Sequence, residues 1–460
     1  MEEDIRLIDG GKGEERILPA YFSYPTWIVD TLWDQLRDVC ESALGAYMHY
    51  TSSNNLQHSY LLGLDVLITA QVHPDDNKQI VDIKPVLVEG PCCNSYPACP
   101  NFLARKLYLN TKLKGTRPDS VAYPVHPTEI AERMIDMMLA VWETKGHSGP
   151  PCIGIFTRPY PESEEEASHV FTYNAIKNRG IKVFRITPDE KPYVKNGKLY
   201  VDGHGIDIGY RRIERIHVPQ FYGAELAEDI INNTPNTVWI NNWKIDDLRS
   251  KTLEEKAFRV WERQGGRIVL RPTTLLEDEI SSDSVRTLAK AGGYVMKKWN
   301  STGGKGVFLF AYMPQAKAIY DYLYERYDGR HMALLDADKL QEELKQFADF
   351  KEDTSIQQLR YPDAKLLQSG KRLVYDTRIN VIYNPKLEKW QFISGISRSV
   401  KCGKDIPQDK GNSLLTNVSS GAEIAPLIMG YTKKGESRDH MLFGPLAKAM
   451  LDGKTDLRIS

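Results

Sequence analysis

Along residues 25–50 the apolar positions Trp27, Leu32, Leu36 and Cys40 recur at near-helical spacing with charges between them, which predicts a helix. From Leu61 to Ala70 the pattern changes to a short apolar run around one acid, Asp65. Ile80 to Glu89 repeats that character with β-branched residues. His73-Pro-Asp-Asp-Asn between the two runs is a turn signal, so they predict an antiparallel hairpin with Asp65 on one arm and Glu89 on the other. Residues 91–100, rich in proline and cysteine, read as irregular, and Ile130 to Trp142 reads as an amphipathic helix. A boundary follows at 146–151.

Beyond it strands and helices alternate. Cys152–Phe156 predicts a strand, Glu164–Asn178 a helix and Ile181–Ile186 a strand, with more strand at Leu199–Val201 and Ile206–Tyr210. This is the signature of a βαβ unit in a parallel sheet. Val238–Asn241 adds a strand, and Thr252–Gln264 a helix whose Leu253, Phe258 and Trp261 form an apolar face. Strands at Tyr294–Lys297 and Val307–Phe310 flank a glycine-rich stretch, Ser301–Gly306, which becomes a hairpin tip. Helices at Ala316–Tyr327 and Lys339–Phe350 then lead into strands at Ile356–Leu359, Leu373–Tyr383 and Trp390–Val400.

A chain of 460 residues exceeds one ordinary core of about 100 to 200 residues, so two or three subdomains are expected. Apolar residues at 41% and charged residues at 26% exclude a disordered or fibrous protein. Sixty basic against 61 acidic side chains leave no global field for nucleic acid or an anionic membrane, so any polyanion site must be local. Six cysteines are few, and Met1-Glu-Glu-Asp does not read as a signal peptide, so a cytoplasmic chain with reduced thiols is expected. Tyr60–Val72 is too short and too polar at Asp65 to span a bilayer. Cys92, Cys93 and Cys99 lack the matching second half of a zinc site, and no nucleophilic triad is readable.

The stretch Lys297-Lys-Trp-Asn-Ser-Thr-Gly-Gly-Lys-Gly-Val carries the chemistry. Three glycines allow main-chain N–H groups to approach phosphate oxygens, and the strand that follows separates this loop from a Walker loop. Its neighbours form an order: Glu255-Lys-Ala-Phe, then Val295-Met-Lys and the loop, Gln357 and Gln358, Asp376-Thr-Arg378, Ser397-Arg-Ser399 and Asn417-Val-Ser-Ser-Gly421. That order resembles the ATP-grasp superfamily, in particular the glutathione synthetases. Gly63-Leu-Asp65-Val-Leu-Ile and Val86-Leu-Val-Glu89-Gly-Pro91, at the front of the chain, resemble the family's acidic metal strands. The resemblance is therefore to the circularly permuted members, glutathione synthetase-like or glutathionylspermidine synthase-like. Ile206-Asp-Ile-Gly-Tyr210-Arg-Arg212 looks like their Asp-x-x-Tyr-Arg-Arg strand.

The resemblance implies an α/β (α+β) ATP-grasp fold, circularly permuted, with a Rossmann-like substrate domain. Residues 1–149 would carry the metal strands, 150–245 the substrate domain, 246–350 the lid with its glycine-rich loop, and 351–460 the C-terminal ATP-grasp subdomain. ATP would be held by Lys256, Lys297, Ser301, Thr302, Gly303, Gly304, Gly306 and the hinge Gln357, Gln358 and Leu359. Arg378 and Arg398, with Asn417, would meet the phosphoryl group or the acceptor; cross-strand salt bridges are the plainer reading of both arginines. Arg212, less so Arg211, with Ser419 and Ser420, would bind substrate. Asp65 and Glu89 would hold Mg2+, although Pro91 stands where the family has an asparagine ligand and Asn94 is the nearest substitute. The implied reaction is ATP-dependent ligation of a carboxylate to an amine through an acyl phosphate, with small-molecule partners and neither nucleic acid nor membrane. A nucleotide-binding module without catalysis, or a kinase of this fold, are the alternatives.

Overall fold

A computed structural model describes residues 26–73, 76–92, 127–157, 165–241, 243–244, 246, 251–267, 269–290, 294–298, 307–312, 332–335, 354–358, 366–368, 371–402 and 423–430. The chain opens with β1 (Thr26–Val29), α1 (Asp30–Ser53), β2 (Leu61–His73), β3 (Asp76–Cys92) and α2 (Pro127–Thr144). β4 (Ile153–Phe156), α3 (Glu165–Asn178) and β5 (Val183–Ile186) follow, then β6 (Tyr193–Lys195), β7 (Lys198–Val201), β8 (His204–Gly205) and β9 (Ile208–Arg211). Next come α4 (Val218–Tyr222), α5 (Ala224–Asn232), β10 (Val238–Trp239), α6 (Lys251–Arg263), β11 (Thr274–Leu275) and α7 (Ser282–Lys290). The remainder is strand: β12 (Tyr294–Lys298), β13 (Val307–Tyr312), β14 (Met332–Leu335), β15 (Thr354–Gln358), β16 (Leu366–Gln368), β17 (Lys371–Asn384), β18 (Lys389–Cys402) and β19 (Glu423–Gly430).

The largest sheet runs β1-β19-β18-β17-β2-β3, with β16 joined to β17, so its middle is built from segments more than 300 positions apart. Even-numbered β2 residues Leu62, Leu64 and Val66 bury one face together with Ile379 and Val381 of β17. Period-two alternation then commits Leu61, Gly63 and Asp65 to the other face. The first face is covered by α1 and α6. α1 presents Leu36, Val39, Ala43, Leu44 and Tyr47, a stripe at three- and four-residue spacing, and α6 contributes Phe258, Leu253 and Trp261. Gly45 makes room for that contact, since a Cβ there would stand 2.9 Å from the Trp261 ring.

The second face packs on α2. Ile130, Met134, Ile135, Met137, Met138 and Val141 are buried around most of that helix because it lies between two sheets. One side meets Leu61, Ile382 and Ile393; the other meets Ile153, Ile155, Ile208 and Tyr210. Those last residues belong to a four-stranded parallel sheet ordered β10-β9-β4-β5, every residue of β4 and β9 being buried, as expected when both faces are covered. On its far side Phe156, Trp239 and Trp243 pack against Val218 and Tyr222 of α4 and Ile230 of α5. Main-chain bonds tie the two sheets, Tyr60 N–H donating to Ile240 O (2.8 Å) and Tyr383 N–H to Tyr60 O (2.8 Å).

The glycine-rich hairpin strands β12 and β13 pair antiparallel in a third sheet, ordered β11-β15-β12-β13-β14. Three expectations change. Thr26–Val29, read as the start of a helix, is a strand paired parallel with β19. Leu199–Val201 belongs to a separate three-stranded antiparallel sheet, β6-β7-β8, rather than to the parallel one. α7, packed against β12, β13 and β15, was not foreseen. The helices expected at 316–327 and 339–350 lie outside the described residues.

Candidate functional site

Three charged positions share one row across the large sheet. In register, Glu89 of β3 faces Asp65 of β2, and Asp65 faces Arg378 of β17. Glu89 sits between two irregularities of the β2–β3 ladder, one on each side of the Asp65–Glu89 pair. Such bulges re-aim a side chain while the rest of the ladder keeps its register. Gly90 beside it accommodates Glu254 of α6, whose Oε1 would lie 2.3 Å from any Cβ.

Asp65 is 5% exposed, and its carboxylate is held by a two-pronged pair: Arg378 Nε donates to Oδ1 at 2.6 Å and Nη2 to Oδ2 at 2.7 Å. The planar guanidinium fork matches the carboxylate geometry. The pair is the cross-strand salt bridge that was the plainer reading of Arg378. Asp65 was expected on magnesium and Arg378 on phosphate, and here each neutralises the other.

Two positions along β17 on the same face, Asn380 is fully buried. Its amide donates to Ser394 Oγ at 2.8 Å, while its Oδ1 meets no donor among the described residues. Nothing in the motif order marked it; its two-residue spacing from Arg378 was the available signal. Arg398 occupies a register position opposite Asp376 on that face, reached from Arg378 and Ile396 by the same alternation.

Arg211 and Arg212 part company at the end of β9. Arg211, considered for a substrate carboxylate, is instead buried on the Trp243 side. It grips Asp246 at 2.6 and 2.7 Å, donates to Asn241 O at 3.1 Å and lies 4.6 Å over the Trp243 ring. Arg212 continues the opposite row, Ile208 and Tyr210, which shares its core with Leu61 and Ile382. Asp65 and Arg378 continue the Leu61 and Ile382 rows of the large sheet, on the other side of α2. Arg212 is 1% exposed, 5.7 Å over the Tyr210 ring, and its N–H donates to Phe156 O at 2.7 Å. That places it between β4 and β9, where the chain order of the parallel sheet reverses and ligands of such sheets collect. Burial pushes the Tyr210 hydroxyl up, with Arg212 pulling the other way.

On α6, Lys256 is exposed, whereas its neighbour Glu255 is buried and clamped by Arg259 (2.8 Å) and Arg271 (3.0 and 3.1 Å). Arg259 reaches on to Glu279, whose carboxyl it holds below the usual range. The glutamate of this motif is thus a brace that fixes the lysine's helix to the strand segment after it.

Lys297, Gln357 and Gln358 are placed by strand register: Lys297 opposes Val307 and Ser355, Gln357 opposes Val295, and Gln358 opposes Tyr294. Ser301, Thr302, Gly303, Gly304, Gly306, Leu359, Asn417, Ser419, Ser420, Asn94, Cys93 and Cys99 lie outside the described residues.

No family model matches the chain, and no curated protein matches it by sequence. Among solved structures it is similar to a glutathione synthetase-like effector from Globodera pallida in its apo form. The likeness covers 93% of this chain and 96% of that one at 12% identity, with a TM-score of 0.52. The fold is glutathione synthetase-like. A candidate γ-glutamylcysteine synthetase from Methylobacillus flagellatus overlaps 86% of this chain and 87% of its own at 10% identity, with a TM-score of 0.43.

Asp65 and Glu89, opposed in register, are the hard carboxylates that would hold a divalent cation, with Asp65 paired to Arg378 in this structure. Among the described residues no three His, Cys, Asp or Glu side chains gather at one point. A small donor set completed by water and phosphate oxygens suits magnesium rather than zinc.

Proposed function

We propose that the chain is an ATP-dependent carboxylate–amine ligase. The observation that supports the reading is the row Glu89, Asp65, Arg378 on three adjacent strands of a glutathione synthetase-like fold. Asp65 and Arg378 meet in that row although 313 positions separate them in the chain.

In this reading Arg212 holds the carboxylate of the acid substrate with its fork. One carboxylate oxygen attacks the γ-phosphorus of ATP, the bond to the β,γ-bridging oxygen breaks, and ADP leaves with that electron pair. Arg378, released from Asp65, would direct positive charge toward the transferring phosphoryl group, the role the resemblance also gives to Lys256 and Lys297. Asp65 and Glu89 would hold magnesium, which when bound would supply charge neutralisation at the phosphate oxygens. An amine then attacks the acyl carbon, phosphate departs, the amine loses a proton and an amide remains. Water must be kept from the acyl phosphate, which it would otherwise hydrolyse; the 301–306 stretch to which the resemblance gives that role lies outside the described residues.

ADP release measured over a panel of amino acids and small carboxylates, with and without amines, tests this. Release that needs both an acid and an amine, with an amide in the products, is the expected result. Tight ATP binding without ADP release would replace the ligase by a binding module, and a stable phosphorylated product would replace it by a kinase.

A further inference from the structure

Five charged side chains tie α6 to the two stretches that follow it. At their centre is the buried carboxylate of Glu255, and both of its oxygens are engaged. Arg259 Nε donates to Oε1 at 2.8 Å, while Arg271 donates through Nη2 to Oε1 at 3.1 Å and through Nε to Oε2 at 3.0 Å. Each arginine then reaches a second acid. Arg271 bonds Glu262 and lies 5.0 Å over the Phe258 ring. Arg259 bonds Glu279 (2.9 Å) and donates to Thr274 O at 2.8 Å. Of the two arginines, Glu262 bonds only Arg271 and Glu279 only Arg259, so the charged link between these outer acids runs through Glu255.

The two arms end on different sheets. Beside Arg271, Leu270 O accepts from the Leu87 N–H of β3 at 2.8 Å, two positions before Glu89. On the other arm Thr274 of β11 opposes Gln357 of β15, and Ser355 of the same strand opposes Lys297 of β12. A continuous path of charged and main-chain hydrogen bonds therefore runs from the edge of the large sheet, through Glu255, into the five-stranded sheet that carries the hairpin strands. Guanidinium forks hold a carboxylate at fixed distance and angle, which is what a joint between two sheets requires. We propose that Glu255 is a positioning residue, the node that holds β11, β15 and β12 in place against β3. It goes beyond the ligase reading and rests on it only in giving Lys297, on the held strand, a task to perform.

Glu255→Gln keeps the shape of the node but turns a donor toward one of the two arginines, so it severs an arm. Hydrogen–deuterium exchange of the full chain, read peptide by peptide, locates the damage. Amides of β11, β12 and β15 should exchange about 10- to 100-fold faster, the range of one charge-assisted hydrogen bond, while those of β2 and β17 keep their protection. Equal loss in every strand would make Glu255 a general stabiliser, and loss in none would make it a brace within α6; either overturns the proposal. A double-mutant cycle gives the second reading. Glu262→Gln and Glu279→Gln together should depart from the product of their separate effects on β15 exchange by about twofold or more, and that departure should vanish in the Glu255→Gln background. Independent effects in the wild-type background overturn the joint. Where circular dichroism shows Glu255→Gln misfolded, the cycle in the wild-type background decides alone. A wild-type chain that releases no ADP ends the ligase reading and leaves the exchange results standing, whereas unselective exchange in an active enzyme removes the joint alone.

Discussion

The adjacent arginines 211 and 212 look interchangeable in the sequence, yet the strand sends one into each of two cores. Arg211→Ala would strip Asp246 of its buried partner and is expected to cost about 3 to 5 kcal/mol, read as a lower urea midpoint. Arg212→Lys should leave that midpoint near the wild-type value and raise the KM for the acid substrate with ATP affinity barely altered, because lysine lacks the fork. If Arg212→Lys loses ATP binding and keeps substrate affinity, this arginine belongs to the nucleotide. A pH effect is expected from His58, whose Nδ1 bonds Thr51 Oγ1 at 2.5 Å near the end of α1 and whose pKa burial pushes down. A depressed folded value means stability present above the ordinary histidine value of about 6.5, lost as pH falls through the folded value. His58→Gln should flatten the fall in melting temperature between roughly pH 7 and 5; an unchanged slope would assign that fall to other groups. Both arginines and the Asp65 and Glu89 pair were legible as charged residues in apolar strands. Their pairing was not, since the contact between Asp65 and Arg378 spans 313 positions and depends on which strands meet.

Long elements were readable because their periodicity is local: α1, α2, α6, β17 and β18 appear within a few residues of their expected limits. β1, with four residues, was absorbed into the helix after it, for so short a strand carries too little alternation and owes its state to β19. Close approaches between strands were invisible for the same reason. Gly209 of β9 lies beneath Trp239 of β10, and a Cβ there would stand 2.6 Å from the indole. Gly209→Ala should destabilise by about 1 to 3 kcal/mol through displacement of a buried ring, measured by urea unfolding with Trp fluorescence. For β12, alternation puts Lys298 on the face of Tyr294, which is fully buried, and Lys297 on the opposite face with Val295. Lys297→Ala should lower kcat by orders of magnitude with the fold intact, and a dead Lys298→Ala beside an active Lys297→Ala would reverse that facing.

At the scale of the molecule, α2 serves as a shared wall, packing Leu61, Ile382 and Ile393 of the large sheet and Ile153, Ile155, Ile208 and Tyr210 of the parallel sheet into one core. β19 is the corresponding keystone of the sheet edge, paired on one side with β1 and on the other with β18. Truncation after Ala422 should expose both partners' edges and give an aggregating chain without a cooperative thermal transition; a monomeric, cooperative product would show that β1 and β18 close the edge without it. The central pairing of β2 with β17 also has a cost during synthesis. A ribosome adding about 5 to 20 residues per second needs roughly 15 to 60 s to travel from Asp65 to Arg378. Throughout that interval the β2–β3 hairpin waits with one edge open, and the carboxylate destined for burial has no guanidinium to receive it. The nascent chain must therefore be sheltered until its last quarter emerges, which makes its yield in a cell sensitive to translation speed and to chaperones that hold open strands.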